Sequence, residues 1–235
     1  MNSQTGRPKL PDVLGLELAD IIESRIIRLE FEPDTHLTEQ QICAEFDVSR
    51  SPVREAFRQL EATGLVVRHK RRGVRVTPMS YRHVDEIYAV RIPLESIAAT
   101  LATENATEDD LDYLADTVKQ LKDALATDDA AGFFDANIAY FERLHSITGN
   151  ATLQNILRAI EKQAMRYRYF AHRYSKEMQQ SSTANLSRIL DRMRDRDVEG
   201  ARSDTEAMMM QAHKLIVDVL REYPALTKGV EPEQD

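Results

Sequence analysis

The stretch that decides the fold is residues 46–66, which read FDVSRSPVREAFRQLEATGLV. Ser49 belongs to the residue types that cap a helix N-terminus by accepting a hydrogen bond from a backbone N–H. Pro52 falls in the first turn, where its missing N–H costs little. Gly64 is the residue type that most often follows a helix end. The stretch therefore predicts a turn, a helix over residues 49–63, and a stop.

This helix has two chemically different faces. Apolar side chains recur at spacings of three and four residues, which predicts a buried stripe. The stripe consists of Val53, Ala56, Phe57 and Leu60. Arginines recur every four residues on another face, at Arg50, Arg54 and Arg58. A short helix with one apolar and one cationic face suits the major groove of DNA; the competing interpretation is that the arginines form only a solvated face.

The net charge of the whole chain conceals a basic segment. The chain carries −8, which at first sight argues against a DNA-binding protein. Residues 48–80 nevertheless hold 8 basic and 2 acidic residues, a net charge of +6, whereas residues 1–47 carry −6 and residues 81–235 carry −8. Attraction to a polyanion depends on the local field. The charge distribution therefore supports a nucleic-acid site within residues 48–80.

Length and composition limit the class of protein. The chain has 235 residues, enough for one large or two modest domains. No apolar run approaches the roughly 18 residues of a membrane span, and residues 1–9 lack the apolar segment of a secretory signal. The only cysteine, Cys43, excludes an intrachain disulfide and a cysteine-based zinc site. A single cysteine also fits a reducing compartment, so we expect a cytoplasmic protein without a membrane segment.

Two further helices are predicted before the first stretch. Apolar residues between positions 11 and 30 follow helical spacing, and Pro33 then breaks the chain. Thr38 and Gln41 form a capping box, which opens a short helix ending at Phe46. Together with residues 49–63 these segments make three helices.

A basic β-hairpin is predicted after the three helices. Residues 65–68 and 73–77 are rich in β-branched side chains and alternate in polarity. Residues 69–73 between them form a basic tip. Three helices followed by such a hairpin predict a winged helix-turn-helix domain over residues 10–78, preceded by a flexible segment, residues 1–9.

The remainder of the chain is predicted to be an all-α bundle over residues 79–225. Six helices are expected, over residues 80–105, 107–126, 128–148, 151–177, 182–195 and 198–222. Thr107 and Asp110 form a second capping box, and Pro93 predicts a kink in the first of these helices. Residues 226–235 are expected to be disordered. The fold class is therefore mainly α, with a winged helix-turn-helix and a six-helix bundle.

The motifs of both halves resemble one protein family. Those at residues 48–56, 60–66 and 72–76 closely resemble the GntR family of bacterial transcription regulators. Residues 86–95 and 144–150 look like parts of that family's helical FCD effector domain. The resemblance implies a homodimeric regulator, with repression the favoured sense, that binds an inverted repeat of double-stranded DNA and responds to a small-molecule effector. One departure is Asp34, where the family usually has glycine; Asp also tolerates a turn.

The resemblance also implies a set of DNA contacts. The candidate residues are Gln40, Ser49, Arg50, Ser51, Arg54, Arg58, Lys70, Arg71, Arg72 and Gly73. Their chemistry agrees with that role, because arginine can donate two hydrogen bonds to guanine, and serine hydroxyls and a helix N-terminus suit phosphate. Glycine at the wing tip would let the backbone approach DNA closely, and the basic residues beside it would supply phosphate contacts.

A metal site that the resemblance implies is not kept in this chain. Many FCD domains hold a divalent metal with one Asp and three His. Counting from the motifs places those four positions at Asn137, Phe141, Leu186 and Met208. Three of these side chains are apolar and cannot coordinate such a cation, so we expect no metal cofactor.

Other histidines do not replace the lost ligands. A register shift on the last two helices would bring in His213, but no histidine lies near residue 191 to join it. His145 and His172 are interpreted as surface or satisfied polar groups rather than ligands. A metal-free site is therefore the favoured interpretation.

An effector pocket without metal is predicted at the same positions. The candidate lining residues are Arg91, Asn137, Tyr140, Phe141, Arg166, Leu186 and Met208. An apolar cavity with a few polar groups suits a small ligand, so the expected effector is an organic acid with an apolar part, such as an acyl or aromatic acid or its thioester. The alternative is that these side chains fill the core, so that the bundle only dimerises and the protein is a constitutive repressor.

A basic aromatic run, RYRYFAHRY, covers residues 166–174. One interpretation is a surface for a ligand or nucleic acid. The favoured one is a buried aromatic face whose arginines extend to water, with Arg166 as a possible exception facing the cavity. The run Met208–Met210 is likewise interpreted as packing.

Other classes of function find less support in the sequence. No glycine-rich phosphate loop, Ser/His/Asp set or HExxH motif favours an enzyme. A purely structural DNA-binding protein with a filled bundle remains the third class, distinguished from a regulator by whether a ligand changes DNA affinity.

Overall fold

The computed structural model of the chain describes residues 10–68 and 73–224. Within these ranges the chain forms nine α-helices and three short strands, which confirms the mainly α fold class. The described residues divide into two compact units, with the division in the chain between Met79 and Ser80. The terminal segments predicted to be flexible or disordered, residues 1–9 and 226–235, lie outside the described residues.

The first unit contains three helices and a small sheet. The helices are α1 (Leu10–Ile27), α2 (Glu39–Phe46) and α3 (Arg50–Ala62), and the strands are β1 (His36–Leu37), β2 (Val66–Arg68) and β3 (Val74–Val76). All pairs are antiparallel, in the order β1-β3-β2. The predicted hairpin is confirmed as β2 and β3, and β1 adds a third strand that was not predicted. The third strand was missed because two residues are too few to show an alternating pattern.

Local sequence signals explain how α2 begins and ends. Gln41 N–H donates to Thr38 Oγ1 over 3.2 Å and Thr38 N–H donates to Gln41 Oε1 over 3.1 Å, so the predicted capping box is present. The helix ends at Asp47, which adopts a left-handed conformation with φ 48°. Asp34 likewise has φ 69°, in agreement with the predicted turn.

The predicted recognition helix is α3. Its apolar stripe is buried in the core of the first unit, with Val53 and Ala56 fully inaccessible to solvent, and packs among side chains of α1 and the sheet. Gly64 follows the helix with φ +73°, as the stop signal predicts. The expected cap by the Ser49 side chain is absent: Ser49 occupies the N-cap position but makes no capping hydrogen bond.

The second unit is a bundle of six helices. They are α4 (Tyr81–Asn105), α5 (Glu108–Thr127), α6 (Ala130–Ile147), α7 (Ala151–Tyr174), α8 (Lys176–Arg194) and α9 (Val198–Glu222). The predicted boundaries at residues 177 and 182 are wrong, because α7 ends at Tyr174 and α8 starts at Lys176. Ser175 separates these helices, and its hydroxyl accepts from Met178 N–H over 3.1 Å to cap α8.

The first helix of the bundle continues through an internal proline. Pro93 lies near the middle of α4, which runs without interruption from Tyr81 to Asn105. Across residues 10–68 and 73–224, no helix combines the length and the apolar character needed to cross a membrane.

Candidate nucleic-acid interface and effector cavity

The arginine face of α3, defined by Arg50, Arg54 and Arg58, is exposed. The side chains of Arg54 and Arg58 are 62% and 70% exposed, and Arg50 is exposed as well. The apolar stripe on the other side of the helix holds α3 in the first unit. The helix can therefore present three guanidinium groups outward while its core contacts stay intact, as a recognition helix requires.

Two of these arginines contact carboxylates of the same unit. Arg54 Nε donates to Glu39 Oε1 over 2.9 Å, a bond that joins α3 to α2 and raises the pKa of Arg54. Arg58 Nη2 lies 2.6 Å from Glu55 Oε2, and hydrogen bonding to Arg58 lowers the pKa of the Glu55 carboxyl. Arg50 has no ion-pair partner among the residues that the structure describes. In the described part of the chain, the arginine face therefore contains one cation without a counter-ion and two that are paired with carboxylates.

Neither acidic partner was predicted from the sequence, although one of them has a local signal. Glu55 and Arg58 are three residues apart on one helix, a spacing at which side chains meet. Glu39 and Arg54 are 15 residues apart and meet only because α2 packs beside α3. No pattern in the sequence signals that contact.

The other predicted DNA contacts in the described part of the first unit lie at the surface. Gln40, Ser49 and Ser51 are exposed, on α2 and at the start of α3. Since the Ser49 hydroxyl does not cap α3, it is not used by the helix itself. The three basic wing residues Lys70, Arg71 and Arg72 lie outside the described residues.

The fold itself requires glycine at position 73, apart from the DNA contact predicted there. Its φ of +91° favours glycine, and a Cβ at this position would lie 2.4 Å from the carbonyl oxygen of Leu37. The backbone of the wing therefore approaches β1 so closely that no side chain fits. Contact between Gly73 and DNA stays a prediction.

A small cavity lies inside the second unit. It has a volume of about 20 Å³, room for a single water molecule. Its lining residues are Tyr88, Arg91, Asn137, Phe141, Arg168, His172, Met178, Ser182, Met208, Met209 and Ala212. Four of the predicted effector residues are among them, namely Arg91, Asn137, Phe141 and Met208.

The other three predicted effector residues lie elsewhere. Tyr140 and Leu186 are fully buried against each other, with the Tyr140 hydroxyl donating to the Leu186 carbonyl over 3.4 Å. Arg166 is buried beside Tyr167. Helix geometry explains the difference, because side chains four residues apart share a face. Asn137 and Phe141 therefore face the cavity together, as do Arg168 and His172, while their neighbours in sequence point away.

A buried network of charged groups adjoins the cavity. Arg91 Nε donates to Glu95 Oε1 over 3.1 Å, and Glu95 Oε2 lies 2.8 Å from His145 Nε2. Arg91 Nη2 lies 3.0 Å from Glu161 Oε2, and Arg168 forms a close ion pair with the same carboxylate. These contacts connect α4, α6 and α7. The arrangement compensates each buried charge with an opposite one, which burial requires.

The predicted roles of the two histidines have different outcomes. His145 is a satisfied buried group, held by Glu95. His172 is 1% exposed and lines the cavity, so the interpretation as a surface or satisfied group is wrong for it. Its Nδ1 is buried and has no hydrogen-bond partner in the described part of the chain.

The electrostatics of the network fix the charge states of its members. Burial raises the pKa of Glu95, but His145 and Arg91 outweigh that effect and lower it to about 2. Burial and the nearby Arg168 and Arg91 lower the pKa of His172 to about 3. Burial and Arg91 lower the pKa of Arg168 to about 9. Near neutral pH, Glu95 is therefore an anion, His172 is neutral and Arg168 is a cation.

The favoured interpretation of the basic aromatic run is wrong in one respect. Tyr167 and Phe170 are buried as predicted, but Arg166 and Arg168 are only 1% and 2% exposed. These arginines do not extend to water. Arg168 instead donates to Asn137 Oδ1 and lies over the Phe141 ring, 4.9 Å from its centroid.

The four positions counted from the family's metal ligands do not all meet at the cavity. Asn137, Phe141 and Met208 line the cavity, whereas Leu186 is in the core. Among residues 10–68 and 73–224, no group of three or more His, Cys, Asp or Glu side chains is arranged to hold a metal ion. Asn137 contacts the guanidinium of Arg168, so a protein cation lies beside one of these positions.

Comparison with protein-family models assigns both units. The model described as "Bacterial regulatory proteins, gntR family" matches residues 14–76. The model of the FCD domain matches residues 86–213, more than half of the chain. The first match covers the arginine face of α3, and the second covers the cavity.

Individual relatives are regulators of the same type. An uncharacterised HTH-type transcriptional regulator of Bacillus subtilis, YdhC, is 34% identical over 149 residues, which are 63% of this chain and 66% of that protein. The gluconate operon transcriptional repressor of Bacillus subtilis is 30% identical over 142 residues, 60% of this chain and 58% of that one. The alignments thus span less than two thirds of the length of either relative.

Solved structures match nearly the whole chain. The crystal structure of a GntR transcriptional regulator from Rhodococcus sp. RHA1 has a TM-score of 0.73 at 26% identity, and covers 87% of this chain and 97% of that one. The Escherichia coli protein McbR/YncC has a TM-score of 0.77 at 21% identity, covering 89% and 98%. At 21% identity, the match to McbR/YncC shows only that the two proteins share a fold.

Proposed function

Because the chain belongs to the GntR family of bacterial regulatory proteins and carries an FCD domain, we propose that it is a cytoplasmic DNA-binding transcriptional regulator. It binds an inverted-repeat operator as a homodimer and acts as a repressor. An organic acid with an acyl or aromatic part is its effector. The family consists of regulators, which argues against an enzyme.

The exposed arginine face of α3 carries the DNA-binding part of the proposal. Three guanidinium groups project from the helix of the matched domain that is expected to enter the major groove. Arg50, without a protein counter-ion in the described residues, suits a phosphate or a base. Arg54, held by Glu39, suits base recognition, because a fixed guanidinium loses less side-chain entropy when it donates two hydrogen bonds to guanine.

An apolar surface on α4 and α7 supports the homodimer. Val90 and Ile97 are seven residues apart on one face of α4 and are 49% and 48% exposed, and Ile156 of α7 is 44% exposed. A groove of about 200 Å³ continues this surface between the two helices, with Ile87 and Ile160 in its walls. Clustered exposed apolar side chains are typical of protein interfaces.

The cavity of the second unit supports an acidic effector. Two guanidinium groups, of Arg91 and Arg168, reach it beside Phe141 and three methionines. A cation pair with an apolar wall is the chemistry expected for an organic acid. The volume of about 20 Å³ favours the alternative, a constitutive repressor whose bundle only dimerises, unless the methionine side chains move when a ligand enters.

The proposal is tested by selecting bound sequences from a random DNA library with the full chain. We expect an inverted repeat whose half-sites are about one helical turn apart, with repression when that sequence is placed within a promoter. Selection of no common sequence, or of an unpaired half-site, contradicts the proposal. A thermal-shift screen of organic acids on the operator-binding protein then separates regulator from constitutive repressor, because a specific ligand raises the melting temperature and changes operator affinity.

A further inference from the structure

Four buried polar atoms of residues at the cavity of the second unit make no hydrogen bond with the described residues. They are Tyr88 Oη, Arg91 Nη2, Arg168 Nη1 and His172 Nδ1, and none has a hydrogen-bond partner among the described residues. All four residues line the cavity. A buried polar atom left without a hydrogen bond is destabilising. Tyr88 Oη and His172 Nδ1 have no hydrogen-bond partner in the described residues, and the two guanidinium nitrogens have only ion-pair contacts, which together indicate that a polar group able to bond several of these atoms is missing.

The chemistry of these atoms defines the missing group. Both guanidinium nitrogens can only donate, and the Tyr88 hydroxyl can donate as well. His172 is neutral near pH 7, so it adds no charge. A partner that accepts from several donors has oxygen acceptors, and a carboxylate fits two guanidinium groups best.

A carboxylate of the protein already lies against both arginines. Glu161 Oε2 is 3.0 Å from Arg91 Nη2, and Glu161 Oε1 forms a close ion pair with Arg168 Nη1. The contact with Arg91 Nη2 is an ion pair without hydrogen-bond geometry. Glu161 therefore compensates the charge of both arginines, and an entering anion would have to replace it on them.

The second carboxylate of the network is held differently. Glu95 accepts from Arg91 Nε over 3.1 Å and contacts His145 over 2.8 Å, and its side chain is fully buried. The Glu161 side chain is 11% exposed, whereas those of Arg91 and Arg168 are 1% and 3% exposed. Of the two arginines and the carboxylate between them, Glu161 therefore has the most access to water.

We propose that Glu161 is a tethered carboxylate that occupies the place of the effector's carboxylate on Arg91 and Arg168, and that an organic acid binds by displacing it. This inference rests on the effector part of the proposed function. In the structure the charges of the two arginines are already compensated by Glu161. The cavity beside them has about the volume of one water. An entering acid replaces Glu161 on the arginines, and its apolar part requires the flexible side chains of Met178, Met208 and Met209 to move.

Two carboxylates, that of Glu161 and that of the effector, then compete for the two arginines. The tethered one is present at a high effective concentration, so only an acid with additional contacts displaces it. Selectivity for an acid with the correct apolar part follows. Movement of Glu161 also changes the contacts of α7 with α4, a local change that a regulator can transmit.

The test compares binding of acetate to four proteins by calorimetric titration. Acetate is the smallest probe with a methyl and a carboxylate, so it presupposes nothing about the effector's apolar part, and acetamide is the matched neutral probe. The proteins are the wild type, Glu161→Gln, Glu142→Gln as an exposed acid on α6, and the double variant Glu161→Gln/Arg168→Met. Glu161→Ala serves as a second removal of the carboxylate if Glu161→Gln does not fold.

Removal of the tethered carboxylate is expected to tighten acetate binding by about tenfold or more, equal to about 1.4 kcal/mol. Glu142→Gln is expected to match the wild type, acetamide binding to stay unchanged, and the gain to vanish in the double variant. Equal acetate affinity of Glu161→Gln and wild type overturns the inference, and so does undetectable binding to both. The inference is also overturned if the gain in acetate affinity persists in the double variant with Arg168→Met, or if acetamide affinity rises as well.

Operator binding by the same proteins separates this inference from the proposed function. Normal operator binding without a gain in acetate affinity contradicts only the tethered carboxylate. A gain in acetate affinity in a protein that selects no operator contradicts only the regulator.

Discussion

Arg54 of α3 donates a 2.9 Å hydrogen bond to Glu39 of α2, and this bond links the arginine face of the recognition helix to the helix before it. The Arg54 side chain is 62% exposed, so the bond orients a side chain that still reaches solvent. A guanidinium held in this way is suited to directional contact with a base edge. The wing arginines, in contrast, are expected to act as phosphate charges.

Arg54→Ala is expected to weaken binding to the selected operator by about tenfold or more, because a base contact is lost. Binding to unrelated DNA should change much less. Arg71→Ala is the matched control at the wing, and should weaken both kinds of binding about equally and reduce the salt dependence. Gel-shift titrations at several salt concentrations measure both effects. Equal behaviour of the two variants would remove base recognition from Arg54.

Gly73→Ala is expected to destabilise the first unit more than Gly64→Ala does. Both glycines have positive φ, so alanine costs about 1–2 kcal/mol at either position. A Cβ at Gly73 also meets the Leu37 carbonyl oxygen at 2.4 Å, whereas none of the described atoms lies within 4 Å of a Cβ at Gly64. Urea unfolding of the two variants measures the difference. If both variants lose the same free energy of unfolding, the backbone at β1 moves away from the new Cβ without measurable loss of stability.

Acid is expected to destabilise the bundle through His172. Its pKa is lowered from 6.5 to about 3 in the folded chain, so below about pH 6.5 the unfolded chain binds a proton that the folded chain does not. Stability therefore falls as pH falls through 6.5, by about 2 kcal/mol between about pH 7 and pH 5. The variant His172→Gln cannot titrate at this position, so its free energy of unfolding should fall less over the same pH range. The same pH dependence in both proteins would contradict the prediction.

Val90→Glu is expected to dissociate the homodimer, because it places a charge in the exposed apolar surface of α4 and α7. Met210→Glu is the control, an equally drastic change at a methionine of α9 that is 57% exposed. Sedimentation velocity measures the oligomeric state. A dimer that withstands Val90→Glu and Ile97→Glu together would place the interface elsewhere.

Divalent metals are expected not to bind tightly, because apolar residues replace three of the family's four ligands. Treatment with a chelator should leave the melting temperature and operator affinity unchanged. Titration with zinc or nickel provides the direct measurement. Tight binding that disappears in His213→Ala would overturn the metal-free interpretation and restore His213 as a ligand.

Much of the DNA-binding unit could be predicted from the sequence because its signals are local. The buried stripe and the arginine face of α3 follow from helical spacing alone, and the capping boxes of α2 and α5 are each encoded within four residues. Strand β1 could not be predicted in this way. Its two residues become a strand only because β3 pairs with them.

The cavity could be predicted only in part. Asn137 and Phe141 were placed correctly by counting along one helix from a motif, and Arg91 and Met208 also line the cavity. The sequence predicts Arg166 as a lining residue, whereas the structure places Arg168 there, from the same basic aromatic run. Only the rotation of α7 in the bundle decides which of the two faces the cavity.

The sequence by itself determined the two architectures and the cationic helix, since each depends on residues within a few turns of one another. The tertiary structure alone decided that Arg91 of α4 and Arg168 of α7 converge on Glu161, that Glu39 holds Arg54, and that His172 is buried and neutral. The physical reason is that periodicity fixes the face on which a side chain lies, while charge compensation in the interior depends on which faces the packed helices bring together.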